Sequence, residues 1–115
     1  MELEIQPISD NRLAVLVRLE GEFMLPDTIV FKNCLENLLL EGRIHLVLDL
    51  TGLSYIVSSG LGIIIMILKK ARAQGGDLKF IKLRDGLVKN LFQMTRFDEL
   101  IDMCDDLNQA LDRFN

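Results

Sequence analysis

The sequence has few of the residues on which most enzyme chemistry depends. Its 115 residues include one histidine, two cysteines and no tryptophan. His45 has no second histidine with which to share acid–base or nucleophilic chemistry, and we expect it to be structural. Cys34 and Cys104 lack a C-x-x-C spacing and neighbouring histidines, so we expect buried free thiols rather than a disulfide or a metal site. No metal or cofactor is predicted.

Other chemical signatures are missing as well. There is no G-x-x-x-x-G-K-[ST] phosphate-binding loop and no G-x-S-x-G nucleophile elbow. The formal net charge of −4 argues against direct binding to nucleic acid or to an anionic membrane. The longest apolar run, Ile63 to Leu68, is far shorter than a bilayer span. We therefore predict a cytosolic protein, without membrane insertion, that is not an enzyme.

The apolar residues follow patterns that predict strands alternating with helices. Half of the residues are hydrophobic, which fits one domain over residues 1–115 with a single core. We predict an α/β fold, a mixed sheet of about four to five strands covered by about four α-helices mainly on one face. In chain order, the predicted elements are a hairpin of Leu3–Ile8 and Arg12–Glu20 around Ser9-Asp10-Asn11, a helix between Pro26 and Gly42, a buried strand Arg43–Leu50, a helix from Ser58 to about Gln74, a strand Leu78–Leu83, a short helix around Leu87–Phe92, a strand Glu99–Met103 and a terminal helix Leu107–Phe114.

The most informative stretch, VLDLTGLSYIVSSGLGIIIMIL, runs from Val47 to Leu68. It predicts a buried strand, a short turn, and a helix opened by two serines. Gly60 and Gly62 each cost about 1 kcal/mol relative to alanine in a helix interior, so we expect that something requires a bare backbone there. Ser58 or Ser59 is well placed as the helix N-cap. A phosphate on the same hydroxyl would meet free N–H groups and the positive end of the helix dipole.

The same helix has apolar residues on two sides. One set follows the i, i+3, i+4, i+7 spacing of a core face and comprises Leu61, Ile64, Ile65 and Leu68. A second set lies largely on the other side and comprises Ile63, Met66 and Ile67. This second set is either covered by another element or forms a docking surface.

The run LDLTGLSYIVSSGLGIII resembles the signature of the STAS-domain anti-sigma factor antagonists, a strand ending in D-L-S, a loop, and then D-S-S/A-G-L-G. Weaker similarity covers the whole chain, at Gly21-Glu22, Gly75-Gly76 and LVKNLFQMTRFDELI. In that bacterial family, the unphosphorylated protein binds an anti-sigma factor that is also a serine kinase, which frees a sigma factor. Phosphorylation of the first serine ends the binding. The resemblance therefore implies an anti-sigma factor antagonist that is phosphorylated at Ser58.

The resemblance also implies a partner-binding surface around that serine. The predicted members are Glu22, Met24, Val57, Ser58, Ser59, Gly60, Ile63, Met66 and Ile67. Two of them depart from the family pattern, because Val57 stands where an acid usually precedes the serine, and Met24 replaces the acid expected shortly after Gly21-Glu22. The sequence leaves open whether a phosphatase also binds and whether the protein forms a weak homodimer.

Two other interpretations also remain open at this point. STAS domains of this kind serve as scaffolds of stress-signalling complexes that are not phosphorylated, or as small subunits of lipid transporters, and the loss of both acids fits such a changed role. A purely structural interpretation makes Ser58 an N-cap and the glycines a means of close helix–sheet packing.

Overall fold

The computed structural model of the chain describes residues 1–8 and 14–114. Its five strands are β1 (Glu2–Pro7), β2 (Ala14–Phe23), β3 (His45–Ile56), β4 (Asp77–Ile81) and β5 (Asp102–Cys104). Its α-helices are α1 (Asp27–Leu40), α2 (Ser58–Ala73), α3 (Leu87–Met94) and α4 (Leu107–Asp112), with a 3-10 turn over Phe97–Glu99. None of these described helices is long and apolar enough to cross a bilayer.

The strands form one mixed sheet in the order β1-β2-β3-β4-β5. β1 and β2 are antiparallel, which confirms the predicted hairpin, whereas the pairs from β2 to β5 are parallel. The predicted turn Ser9-Asp10-Asn11, and Arg12 at the start of the second predicted strand, lie outside the described residues. Each parallel pair is joined through a helix, as parallel connections require. The predicted α/β class is confirmed.

The two faces of the sheet are covered unequally. Val15, Val17 and Leu19 of β2 point into the main core, together with buried side chains of α1, α2 and α3. The alternate residue Leu16 points to the other face, where it joins a smaller cluster that includes Ala110 of α4. The prediction that helices lie mainly on one face is therefore confirmed.

The third strand is longer than the sequence predicts. β3 does not end at Leu50 but continues to Ile56, so the turn predicted after Leu50 is wrong. Residues 52–56 pair with the end of β2, with two register shifts on the way. A Cβ atom at Gly52 would lie 2.9 Å from Cγ of Glu20, so glycine at this position allows the two strands to stay together. Glycine inside a strand marks such an irregularity, but in the sequence it resembles a turn.

The last predicted strand is also misplaced. The segment that begins at Glu99 starts within the 3-10 turn, and the strand β5 begins only at Asp102. The turn is preceded by Arg96 in the left-handed region (φ 57°), a conformation that a non-glycine residue rarely adopts and that apolar spacing does not predict.

Burial along α2 differs from the prediction at two positions. Ile67 is fully buried (0% exposed), so its predicted place at the surface is wrong, and Ile65 of the predicted core face is only half-buried. Ile67 lies one turn before Lys70, which pairs with Glu36 of α1. The side of α2 that carries Ile67 therefore faces α1, which covers it.

His45 and the two thiols belong to the packing of the domain. The His45 ring lies against Phe114, with 4.8 Å between ring centroids, and burial lowers the pKa of this histidine. Its Nδ1 atom is buried without a hydrogen-bond partner among the described residues. Cys104 is buried and Cys34 half-buried, both are free, and burial raises the pKa of each thiol. These positions support the structural interpretation.

Candidate functional site

Ser58 lies where the ends of two parallel strands meet the beginning of a helix. The backbone N–H of Val57 donates to the carbonyl oxygen of Phe23 at 2.9 Å, which joins the end of β3 to the end of β2. Met24, which follows Phe23, donates its N–H to Oδ2 of Asp27 at 2.8 Å, and Asp27 is the first residue of α1. The carboxyl edge of the sheet thus brings together the β2 end, the start of α1 and the start of α2.

The start of α2 leaves its serine hydroxyls available. Val57, in extended backbone (φ −72°, ψ 148°), occupies the N-cap position, and no described side chain makes a capping hydrogen bond there. The prediction that Ser58 or Ser59 is the N-cap is therefore wrong. Both serines lie inside the first helical turn, with exposed side chains. The first N–H groups of a helix lack an acceptor within it, so an anion on either hydroxyl would have N–H groups close by.

The two glycines of α2 have different surroundings. A Cβ atom at Gly60 would lie 3.0 Å from side-chain carbon atoms of both Phe23 and Ile56, so the glycine allows α2 to pack closely against the sheet. A Cβ atom at Gly62 would meet no described atom within 4 Å. Close packing against the sheet thus explains why position 60 is a glycine. It does not explain Gly62, where the described residues leave room for a side chain.

The predicted binding residues fall into three groups by exposure. Those with exposed side chains are Glu22, Met24, Ser58 and Ser59. Those that are half-buried are Val57, Ile63 and Met66. Those that are buried, and so cannot contact a partner of the folded domain, are Gly60 and Ile67.

Sequence reasoning missed several large apolar side chains near this edge. The exposed members are Leu25 (64% exposed), Ile29 (60%), Val30 and Tyr55. The sequence carried a signal for two of them, because the buried face of α1, with Phe31 and Leu35, leaves Ile29 and Val30 on other sides of that helix. Tyr55 was missed because it was assigned to a loop, whereas it lies in β3 opposite Glu22.

Charge around the edge is acidic on one side and absent on the other. Glu20 and Glu22, at the end of β2, are exposed and form no ion pair with any described residue. No charged residue occurs in the sequence from Val57 to Leu68. The start of α2 is therefore uncharged. Glu20 and Glu22 alternate along β2 with Leu19 and Phe23, which point into the main core, so their carboxylates lie on the opposite face of the sheet.

Asp49, in the middle of β3, has a structural role. Its carboxylate accepts from the N–H of Thr51 (3.0 Å), from the hydroxyl of Thr51 (2.6 Å) and from Nε of Arg18 (3.3 Å). Burial opposes ionisation, but these hydrogen bonds outweigh it and hold the pKa of Asp49 below its ordinary value. Asp49 therefore satisfies donors of its own strand and of β2.

Both the fold and the serine motif have counterparts in known proteins. Residues 4–110 match the family model of the STAS domain. The anti-sigma-B factor antagonist of Bacillus subtilis (strain 168) is 30% identical over 96 residues, which cover 84% of this chain and 86% of the relative.

Solved structures show the same fold at lower sequence identity. An anti-sigma factor antagonist from Mycobacterium paratuberculosis superposes with a TM-score of 0.81 at 18% identity, covering 98% of this chain and 92% of that one. SpoIIAA of Bacillus in its phosphorylated form gives a TM-score of 0.76 at 17% identity, covering 99% of this chain and all of that one.

The fold and the serine at its sheet edge define a small regulatory domain of the STAS type. The chain belongs to the STAS-domain family of anti-sigma factor antagonists. The resemblance seen in the sequence is therefore confirmed at the level of family and fold.

Proposed function

We propose that this protein binds an anti-sigma factor that is also a serine kinase and thereby releases a sigma factor, and that phosphorylation of Ser58 ends the binding. The observation that carries the proposal is the exposed Ser58 side chain at the start of α2, beside the Phe23–Val57 hydrogen bond. A kinase can reach this hydroxyl without unfolding any element. The curated relative from Bacillus subtilis, by its name an antagonist of the anti-sigma-B factor, supports a role of this class.

The chemistry of the edge explains how one phosphate would act as a switch. A phosphoserine adds about −1.5 to −2 charges at neutral pH. Within the domain, the α2 N-terminus would tolerate this charge through its N–H groups and dipole. A partner that had buried the uncharged start of α2 would instead have to bury an unpaired dianion, which is strongly unfavourable. SpoIIAA, solved in unphosphorylated and phosphorylated forms, supports a switch that keeps the fold.

The proposal is tested with the anti-sigma factors of the organism from which the chain comes, purified and titrated one at a time by calorimetry. Ser58→Ala should retain the affinity of the wild type, and Ser58→Asp should abolish binding. Asn108→Asp, which adds the same charge to an exposed position of α4 on the opposite face, is the control and should bind normally. Undiminished affinity of Ser58→Asp would show that charge at this edge does not control the interaction.

A second candidate function is a STAS scaffold or transporter-associated subunit that acts by protein binding without phosphorylation. It is favoured by Val57 and Met24, which stand in place of the acids of the family pattern. Affinity purification of the complex formed in the native organism separates the candidates. An anti-sigma kinase, with or without a phosphatase, supports the first, whereas a transporter ATPase or a large homologous scaffold supports the second.

A further inference from the structure

A cavity of about 280 Å³ lies between α3 and β5, and none of its lining residues belongs to α1 or α2. It therefore shares no residue with the Ser58 edge. Its apolar walls are Leu83, Phe92 and Met103, of which the first two are buried and the third is half-buried. Polar and charged side chains from α3, from the 3-10 turn and from the residues that follow β4 and β5 complete the lining.

The aromatic wall of the cavity is held in place from behind. The ring of Phe92 meets those of Phe97 and Phe80 at centroid distances of 4.7 and 6.2 Å, with interplanar angles of 67° and 78°. Edge-on contacts of this kind are favourable and hold an aromatic ring in one orientation. The cavity is therefore formed before any ligand arrives, as small-molecule sites usually are.

A cation and an anion lie side by side at the rim of the cavity. Lys82 directly follows β4 and Asp105 directly follows β5, and the N–H of Lys82 donates to the carbonyl oxygen of Cys104 at 2.7 Å. Both side chains are exposed and line the cavity. Neither forms a salt bridge with any residue of the ranges 1–8 and 14–114. Both charges are therefore available to a ligand.

The other charged residues of the lining keep the two signs in balance. Lys89 pairs with Asp85 at 2.9 Å, but Asp85 is 96% exposed, so this pair is solvated and weak. Asp98 forms no salt bridge within the described part of the chain. Two ammonium groups and two carboxylates thus line the cavity. A ligand with one charge would be attracted by one pair and repelled by the other, whereas a zwitterion complements both.

The volume of the cavity limits the size of such a ligand. It lies just below the range of about 300–1,000 Å³ that is typical of pockets for drug-sized molecules. An α-amino acid meets this limit, because its ammonium and carboxylate groups are attached to the same carbon atom and can reach Asp105 and Lys82 together. Its side chain would then lie against Leu83, Phe92 and Met103, a contact that favours an apolar side chain.

We propose that the cavity between α3 and β5 binds a free α-amino acid with a large apolar side chain, such as leucine, methionine or phenylalanine. The carboxylate of the ligand pairs with Lys82 and its ammonium group pairs with Asp105, while its side chain covers the apolar walls. This binding site goes beyond the proposed function and does not depend on it, because no residue of the Ser58 edge takes part.

The test titrates the full chain with L-leucine, L-methionine and L-phenylalanine and follows the backbone amide signals by NMR. At least one of them should bind with a dissociation constant below about 1 mM and shift the amides of residues 82–83 and 103–105. Analogues of that amino acid without the ammonium or the carboxylate group, which for leucine are isocaproate and isoamylamine, should bind at least about three-fold more weakly. Glycine, which lacks the apolar side chain, should bind at least about ten-fold more weakly.

Two substitutions test the assigned contacts. Lys82→Gln and Asp105→Asn should each weaken binding by about three- to ten-fold, because each removes one charge-assisted contact at a partly solvated site. Neither should change the melting temperature appreciably, since both side chains are exposed. The controls Lys69→Gln and Asp112→Asn remove the same charges at exposed positions outside the cavity, and should change affinity by less than about two-fold.

The other outcomes overturn the proposal at different steps. If none of the three amino acids binds with a dissociation constant below about 1 mM, the cavity is not an amino-acid site. If isocaproate binds as tightly as leucine, the ligand is an anionic amphiphile and not a zwitterion. If the shifted amides lie elsewhere in the chain, or if Lys82→Gln and Asp105→Asn bind as the controls do, the ligand binds at another place.

Discussion

Phe23 holds the start of α2 in place through two contacts with the residues around Ser58. Its carbonyl oxygen accepts the N–H of Val57 at 2.9 Å, and its ring lies where any side chain at Gly60 would have to go. Because β2 leads directly from Phe23 into Met24, the same residue fixes the distance between the β2–α1 link and the serine. The site is therefore a product of strand pairing and packing, rather than of a loop.

The two glycines of α2 should respond in opposite ways to alanine. Gly60→Ala should destabilise the domain by about 1–3 kcal/mol, because the new methyl group overpacks against Phe23 and Ile56. Gly62→Ala should stabilise it by up to about 1 kcal/mol, because alanine is the better helix former and the space is open. Urea unfolding followed by circular dichroism gives both values. A loss of stability in Gly62→Ala would show that the glycine has an internal role.

Ser58, rather than Ser59, should be the phosphorylated residue. Both hydroxyls are exposed, but Ser58 matches the family serine and is the first residue of α2. We expect mass spectrometry, after incubation with the cognate kinase and ATP, to place the phosphate on Ser58 in the wild type and in Ser59→Ala. Ser58→Ala should remain unmodified, and a phosphate found only on Ser59 would contradict the assignment. The phosphate itself should change stability by only about 1 kcal/mol or less, since it lies at a helix N-terminus.

The sequence predicted the fold class and the placement of the serine, because these depend on strong local patterns. Strand and helix periods alternate clearly, and Pro26 and Gly42 bracket α1 at the ends where proline and glycine are favourable. The length of β3 could not be predicted in the same way. It depends on pairing with β2 across two register shifts, and no local pattern reports that pairing.

The faces of α2 were hard to predict for a different reason. From Ile63 to Leu68 every residue is apolar, so the sequence offers no contrast from which to choose the buried side. Ile67 is buried and Ile65 is only half-buried, because α1 covers one side of α2 and the sheet covers another. The N-cap was missed since valine is a poor capping residue, and here the backbone of Val57 takes the position without a side-chain bond from any described residue.

Acid should destabilise the domain through Asp77 and Asp49. Burial opposes the charge of Asp77, but hydrogen bonds from the N–H of Leu78 (2.8 Å), Arg72 (2.9 Å) and Lys79 (3.2 Å) outweigh it, and the pKa of Asp77 is lowered. A carboxyl whose pKa is lower in the folded state contributes stability above its unfolded pKa of about 3.9, and loses it as the pH falls toward the folded value.

Unfolding free energy measured in urea should therefore decline as the pH is lowered below about 4–5. The decline should be shallower in Asp77→Asn, which has no proton to bind at that position. Asp112→Asn, at an exposed position of α4, is the control and should follow the wild type. If Asp77→Asn shows the full slope of the wild type, Asp77 does not contribute to the acid sensitivity.

Val57→Asp should make the protein a better kinase substrate and a more stable one, for separable reasons. Val57 already has the extended backbone of an N-cap, where an aspartate side chain can accept an N–H of the first turn, a gain of about 1 kcal/mol. The loss of a half-buried valine packed against the main core offsets part of this gain.

The kinetic effect comes from charge. A kinase that recognises an acid beside the serine gains a charge-assisted hydrogen bond of about 1.5–3 kcal/mol, which exceeds the repulsion of about 1 kcal/mol between two unit charges 4 Å apart in water. Val57→Asn is the matched control, because asparagine caps a helix equally well without the charge. We expect Val57→Asn to raise the melting temperature but leave the rate of Ser58 phosphorylation at the wild-type value, whereas Val57→Asp raises both. If the two variants are phosphorylated at the same rate, order at the start of α2 rather than charge controls the reaction, and the kinase does not read an acid at this position.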